Sequence, residues 1–214
     1  MAQTRIGHMI DQLIYGTYIL NGGYKHPLVP EQPAKTWLDV GSGNGEACTT
    51  MDLNWMLDDR TEGQRKVAVD PKTWESDDDR AGRRNDWEKH RMLYDENCPV
   101  WNDHFDIVTC LDTIEHLQKE EGERWLDHFE EVADRLIIIF TPCGFLPQGP
   151  EQGDKFDELE RHLSGWEVED FMKRGYCVYR TPNDFHHNPT GVEGDWAAIL
   201  AWRNFSVEPK DTQR

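Results

Sequence analysis

Three glycines at alternate positions, Gly41, Gly43 and Gly45, follow directly on a short apolar run, Trp37-Leu38-Asp39-Val40. Glycine has no Cβ and takes left-handed backbone angles at little cost. A chain built this way, with Ser42 inside the turn, can double back sharply and let a ligand approach its bared N–H groups. A second apolar run, Lys66-Val67-Ala68-Val69, ends in Asp70, twenty-five residues past Gly45. In open α/β sheets ligands lie over the carboxyl ends of the strands, where an acid accepts hydrogen bonds from ribose hydroxyls. Asp70 is placed for that task; capping a turn is its plain alternative. Farther on, Glu115 and His116 stand together behind a strand-like stretch. Imidazole is the group there that takes a proton near neutrality, so His116 is the candidate base and Glu115 its substitute. A histidine just before a helix also serves as a surface or capping residue. Arg161 and His162, ahead of another helix signal, are candidates for substrate contact, although capping and packing account for them equally. No metal site is expected: His186-His187 lack a third ligand at a suitable spacing, and the five cysteines contain no C-x-x-C pair.

The elements that must hold these residues can be read from periodicity. Ile6, Met9, Ile10, Leu13, Ile14 and Tyr18 fall on one helical stripe, which predicts an amphipathic helix over about Thr4 to Leu20, packed on a sheet edge or serving as a lid. Strands are expected at Thr36–Val40, Lys66–Val69, His90–Tyr94, Phe105–Asp112, Arg135–Thr141, Tyr176–Arg180 and Trp196–Trp202. Helices are expected over Glu46–Asp58 and Gln118–Asp134, and another should begin at Gly165, with Ser164 as N-cap, Glu167 closing a capping box and Gly175 ending it. Strands alternating with helices predict a parallel sheet with right-handed crossovers. The organisation expected is an N-terminal helix and connector over residues 1–35, a ligand-binding domain over 36–205, and a tail over 206–214.

The glycines read G-x-G-x-G. A dinucleotide-binding turn wants a small residue at the sixth position, where Glu46 stands. With Asp39 two residues before the first glycine, this stretch resembles the first motif of class I S-adenosylmethionine (SAM) dependent methyltransferases. The likeness continues through Phe105-Asp106-Ile107-Val108, the Glu115-His116-Leu117 that follows, the Ile137-Ile138-Ile139 run and the closing hairpin, from about Thr36 to Arg203. The stretches Phe140–Gln148, Arg161–Trp166 and Asp170–Tyr176 are similar to bacterial and phage-type members of undefined acceptor. The resemblance implies an α/β fold, a Rossmann-like, doubly wound seven-stranded sheet with its last strand antiparallel. It also implies SAM as cofactor, with Gly41, Ser42, Gly43 and Gly45 against the methionine part and Asp39 near its ammonium. Asp70 would then hold the ribose, Asp95 the adenine amino group, and Leu111, Asp112 and Thr113 would flank the cofactor and face the acceptor. Leu111-Asp112-Thr113-Ile114 stands where amino-methylating nucleic-acid enzymes carry an Asp-Pro-Pro-Tyr type of motif.

Charge bounds the acceptor. Against 23 Lys and Arg stand 41 Asp and Glu, a net charge of −18 over 214 residues. Such a surface repels phosphate backbones, and the densest basic stretch, Arg80 to Arg91, is interleaved with acids. Nucleic acid is therefore a poor substrate, and a small-molecule or sugar-type acceptor is expected. The scattered cysteines point to reduced thiols, and no apolar window approaches a membrane span, so the expected location is the cytoplasm. Two other readings remain at this level: a non-catalytic binding or regulatory subunit of the same fold, and an NAD(P)-dependent oxidoreductase.

Overall fold

The computed structural model describes residues 34–43, 64–71, 87–148, 158–183, 185 and 197–205. The expected N-terminal helix, the helix after the glycine turn, Gly45, His186-His187 and the tail lie outside them. The described strands are β1 (Thr36–Val40), β2 (Arg65–Val69), β3 (Trp87–His90), β4 (Phe105–Leu111), β5 (Ala133–Pro142), β6 (Cys177–Arg180) and β7 (Ala198–Asn204). Two helices accompany them, α1 (Lys119–Val132) and α2 (Val168–Met172). The strands form one seven-stranded sheet in the order β3-β2-β1-β4-β5-β7-β6. β1 pairs parallel with β2 and β2 with β3, whereas β6 and β7 run antiparallel. This is the doubly wound arrangement expected from the sequence. Among the described residues no helix is long and apolar enough to cross a membrane.

Two compact units divide these residues. The first takes its residues from Met1–Thr109, Glu131–Ile137 and Asn204–Arg214. Its core holds Trp37, Leu38, Val40, Val67, Val69, Phe105 and Ile107, the runs of β-branched and aromatic residues that a sheet covered on both faces requires. Asp106 ties the start of β1 to β4: its Oδ2 accepts from the Lys35 N–H (2.6 Å), while its own N–H donates to Thr36 Oγ1 (2.8 Å). The second unit takes Cys110–Glu130 and Ile138–Arg203. Ile138, Ile139, Phe140, Phe129, Trp166, Phe171 and the Ala198–Ala201 stretch are buried within it.

The third strand lies earlier than its apolar residues suggest. Trp87 is buried edge-on against Trp37, with ring centroids 4.7 Å apart, and Arg65 of the neighbouring strand pairs with Glu88. The expected strand His90–Tyr94 instead leaves the sheet, with Leu93 exposed, and the chain proceeds through turns closed by Cys98 N–H to Asp95 O and Trp101 N–H to Cys98 O. Cross-strand pairing decides the register here, against local hydrophobicity.

The capping box also moves. Helix α2 starts three residues later than expected, with Glu167 as N-cap and Asp170 closing the box from the N3 position. Residues 164–166 are held extended because Trp166 bridges to Cys143 and Gly144. A Cβ on Gly165 would stand 2.7 Å from Phe145 N, so only glycine lets the two segments approach. The C-cap of α2 is Lys173 rather than Gly175, which follows two residues later at φ 81°, in the left-handed region.

Candidate functional site

In the first unit the β1 chain turns at Gly41 (φ 74°) and Gly43 (φ 54°), both in the left-handed region that disfavours side chains. The turn folds onto the end of β2. Gly41 N–H donates to Val69 O (2.8 Å), Ser42 N–H to the same oxygen (3.4 Å), and Gly43 N–H to Asp70 Oδ2 (2.8 Å). Asp70 N–H in turn donates to His90 O (3.1 Å). The sequence suggested bared N–H groups. Instead these three are satisfied by the neighbouring strand, whose terminal carbonyl and carboxylate are the nearest acceptors. The glycines contribute conformation and the absence of side chains; Asp70 fastens the turn and lies at the carboxyl end of its strand. Asp39, 1% exposed, is held by the neighbouring strand: the Thr109 hydroxyl donates to its Oδ1 and accepts from Trp37 Nε1 (2.8 Å). Thr109 was not singled out from the sequence, although a threonine inside the apolar Phe105–Leu111 run was the available signal.

The second unit gathers acids and histidines behind β4. Leu111 is buried at the strand end. Asp112 follows at φ 48°, a left-handed conformation for a non-glycine residue, fixed by its N–H donating to Phe140 O (2.9 Å). Its Oδ1 is buried with no hydrogen-bond partner, and burial pushes the carboxyl up to about 7. Residues Ile114–His116 form a 3-10 turn. Glu115 is 2% exposed, and its Oε2 accepts from Thr141 Oγ1 (3.0 Å). Burial, and next the charge of Asp112, holds the Glu115 carboxyl well above the usual carboxylate range. Thr141 too was missed; it is the polar residue at the end of the Leu136–Phe140 run.

His162 comes from 46 residues away to meet His116. The Glu115 carbonyl accepts from both Leu163 N–H (2.8 Å) and Ser164 N–H (3.1 Å), and Ser164 Oγ donates to Ile114 O (3.4 Å). That clamp sets the two imidazoles edge to face, with centroids 4.9 Å apart. His116 Nδ1 lies 3.3 Å from Arg161 O and His162 Nδ1 2.6 Å from Leu146 O. A carbonyl only accepts, so each Nδ1 carries a hydrogen, and in the neutral ring Nε2 is the lone-pair nitrogen.

The remaining sequence candidates fall elsewhere. Arg161 contributes its carbonyl to His116, but its guanidinium is bound in an exposed pair with Glu158 (2.9 Å). Asp95 sits in a turn five residues past β3, where its Oδ1 accepts from Asn97 N–H (2.8 Å).

The sequence pattern of the family described as "Methyltransferase domain" matches residues 23–187. No curated protein matches the chain. Among solved structures, the chain is similar to magnesium protoporphyrin IX methyltransferase of Synechocystis PCC 6803 with bound SAM, at 15% identity and a TM-score of 0.52, covering 94% of this chain and 80% of that one. A methyltransferase of Bacillus halodurans, described there as putative, is 14% identical over 83% of this chain and 94% of its own, with a TM-score of 0.52. The DhpI complex with S-adenosylhomocysteine is 13% identical over 79% and 76%, again at 0.52. At these identities the likeness speaks for the fold, and the family pattern spans more than half of the sequence. The chain belongs to the methyltransferase-domain family and is a class I SAM-dependent methyltransferase.

Proposed function

We propose that the enzyme moves the sulfonium methyl of SAM to an oxygen, nitrogen or carbon of a small-molecule or sugar-type acceptor. Asp70 accepts the ribose hydroxyls, the Gly41–Gly43 backbone admits the methionine part with Asp39 toward its ammonium, and Leu111 and Asp112 flank the cofactor. Asp95 is the acid for the adenine amino group. An acceptor lone pair attacks the methyl carbon in line, the C–S bond breaks, and its electron pair stays on sulfur as S-adenosylhomocysteine leaves. The donor is already activated, so alignment supplies much of the rate. The acceptor proton falls to the cluster around Glu115 and His116. The low basicity of the surface supports a small acceptor: Arg65, Arg174 and Arg203 are all engaged by acids among the described residues.

One observation carries the cofactor half of this reading, the Gly43 N–H bonded to Asp70 across a turn of left-handed glycines. Calorimetry with SAM and S-adenosylhomocysteine on wild type, Gly43→Val and Asp70→Ala tests it, with NADH as control ligand. Loss of a hydrogen bond to a carboxylate is worth about 1.5–3 kcal/mol, so Asp70→Ala should weaken SAM by roughly ten- to a hundredfold. Unchanged SAM affinity in both variants, or tight NADH binding with none for SAM, defeats it. Release of S-adenosylhomocysteine from an acceptor panel that includes sugars, phenols and an oligonucleotide then fixes the acceptor class.

A further inference from the structure

Glu115, His116 and His162 each offer one ligand atom, and these atoms lie within 4.8 Å of one another. Donors around an ion bound at about 2.1 Å stand roughly 3.4 Å apart in a tetrahedral shell, so a contraction of the order of 1 Å closes the set. The polarity of the cluster favours a cation. Each imidazole gives its Nδ1 hydrogen to a backbone carbonyl, Arg161 O and Leu146 O, which leaves Nε2 as the coordinating nitrogen. A ring-nitrogen hydrogen held by a carbonyl is the usual outer support of a metal-binding histidine. Glu115 is oriented in the same manner by the Thr141 hydroxyl.

A second, independent observation points the same way. Asp112 Oδ1 is sealed from solvent with no hydrogen-bond partner, on a residue held in a left-handed conformation. Asp112 stands three residues before Glu115, and its charge works against ionisation of that carboxyl. The Glu115 carboxylate, held by Thr141, and the two imidazoles bring one oxygen and two nitrogens together in one place. A divalent ion offsets the charge of the carboxylate and accepts a lone pair from each of the three.

We propose that Glu115, His116 and His162, with Asp112 beside them, bind one divalent first-row transition ion, which keeps a coordination position for an oxygen of the acceptor. Mixed imidazole and carboxylate donors suit Mn2+, Fe2+, Co2+ or Zn2+; Ca2+ and Mg2+ prefer shells of oxygen alone. The part that concerns the acceptor rests on the methyl-transfer reading. In that reaction a hydroxyl held on the ion loses its proton to solvent more readily. The oxygen attacks the sulfonium methyl, the C–S bond breaks onto sulfur, and the products are a methyl ether and S-adenosylhomocysteine. His116 is then a ligand, and the proton leaves without needing it as base.

The test uses the full chain stripped with a chelator and titrated with Co2+ by visible absorption and with Mn2+ by loss of the free-ion paramagnetic signal. SAM calorimetry is run on the same preparations. The expected result is one saturable equivalent, at least about a hundredfold weaker in His162→Ala and in Glu115→Gln. Acetohydroxamate, a bidentate oxygen ligand, should shift the Co2+ bands of the wild type. Circular dichroism checks that the variants fold, and His116→Gln stands in for one that does not. No saturable binding by wild type, or binding unchanged in the folded variants, overturns the site. Co2+ bands indifferent to acetohydroxamate overturn the open position. SAM binding without metal binding sinks this inference alone; metal binding without SAM binding sinks the methyl-transfer reading instead.

Discussion

Replacing Gly122 by alanine sets helix propensity against packing, and the structure decides the sign. Gly122 lies inside α1, where alanine is favoured over glycine by about 1 kcal/mol. An added Cβ would stand 2.5 Å from Trp166 Cζ2, 3.1 Å from Ile114 Cγ1 and 3.2 Å from Trp166 Cη2. Comfortable carbon contacts are about 3.5–4.0 Å, so the first overlap exceeds roughly 1 Å. Trp166 cannot turn aside cheaply. It is fully buried, its indole N–H donates to Ser164 Oγ (3.1 Å), and Lys119 Nζ lies 3.5 Å from its ring centre. Overpacking of this kind costs about 1–3 kcal/mol, and an overlap so large belongs near the upper end, so a net loss of about 1–2 kcal/mol remains after the helix gain. For a chain of this size that is a fall in Tm of about 2–8 °C, read by thermal unfolding followed by circular dichroism. A Gly122→Ala protein more stable than wild type would show that Trp166 yields, and would refute the account of why glycine stands there.

Two further outcomes follow from single residues. Partial burial works to raise the Asp170 carboxyl, but the hydrogen bonds from Lys119 Nζ (2.6 Å), Glu167 N–H (3.0 Å) and Lys173 Nζ (3.2 Å) outweigh it and hold the group below its ordinary range. A carboxyl lowered on folding contributes stability above its unfolded pKa and loses it as pH falls through the folded one. Asp170→Asn should therefore be less stable than wild type by about 1 kcal/mol at neutral pH, with the gap closing below roughly pH 4; parallel denaturation curves across that range would contradict this. Cys177 is exposed, whereas Cys98 and Cys110 are buried and burial pushes the Cys98 thiol up. Alkylation of the native protein followed by peptide mapping should find Cys177 modified at once, with Cys98 and Cys110 modified only after unfolding; early labelling of Cys110 would show that the carboxyl end of β4 opens.

The sheet was legible because β1, β2, β4 and β5 are short apolar runs stopped by glycine, aspartate or proline, signals carried within the segment itself. β3 was not, because Trp87 and Glu88 take their places from Trp37 and Arg65 in other strands. The same limit governs the site. Gly41, Gly43 and Asp70 announce themselves by local spacing, and the structure joins Gly43 to Asp70 and Gly41 to Val69 by hydrogen bonds. His116 and His162 were each noticed singly, but no spacing rule links residues 46 apart, and a cluster assembled by the Glu115 carbonyl cannot be read as a ligand set from the sequence. Thr109 and Thr141 were passed over because a lone hydroxyl in a hydrophobic strand shows its purpose only when its partner, Asp39 or Glu115, is seen across from it.

The two bonds that the clamp makes to Glu115 itself are main chain to main chain: its carbonyl oxygen accepts from the Leu163 and Ser164 amides, and its side chain takes no part. Scaffold and chemistry at position 115 are thus separable. Exchanging the carboxylate for a sulfur or nitrogen donor would leave the partner loop anchored where it is, so the cluster is a ready socket in which an engineer could vary one arm while the two imidazoles stay in place.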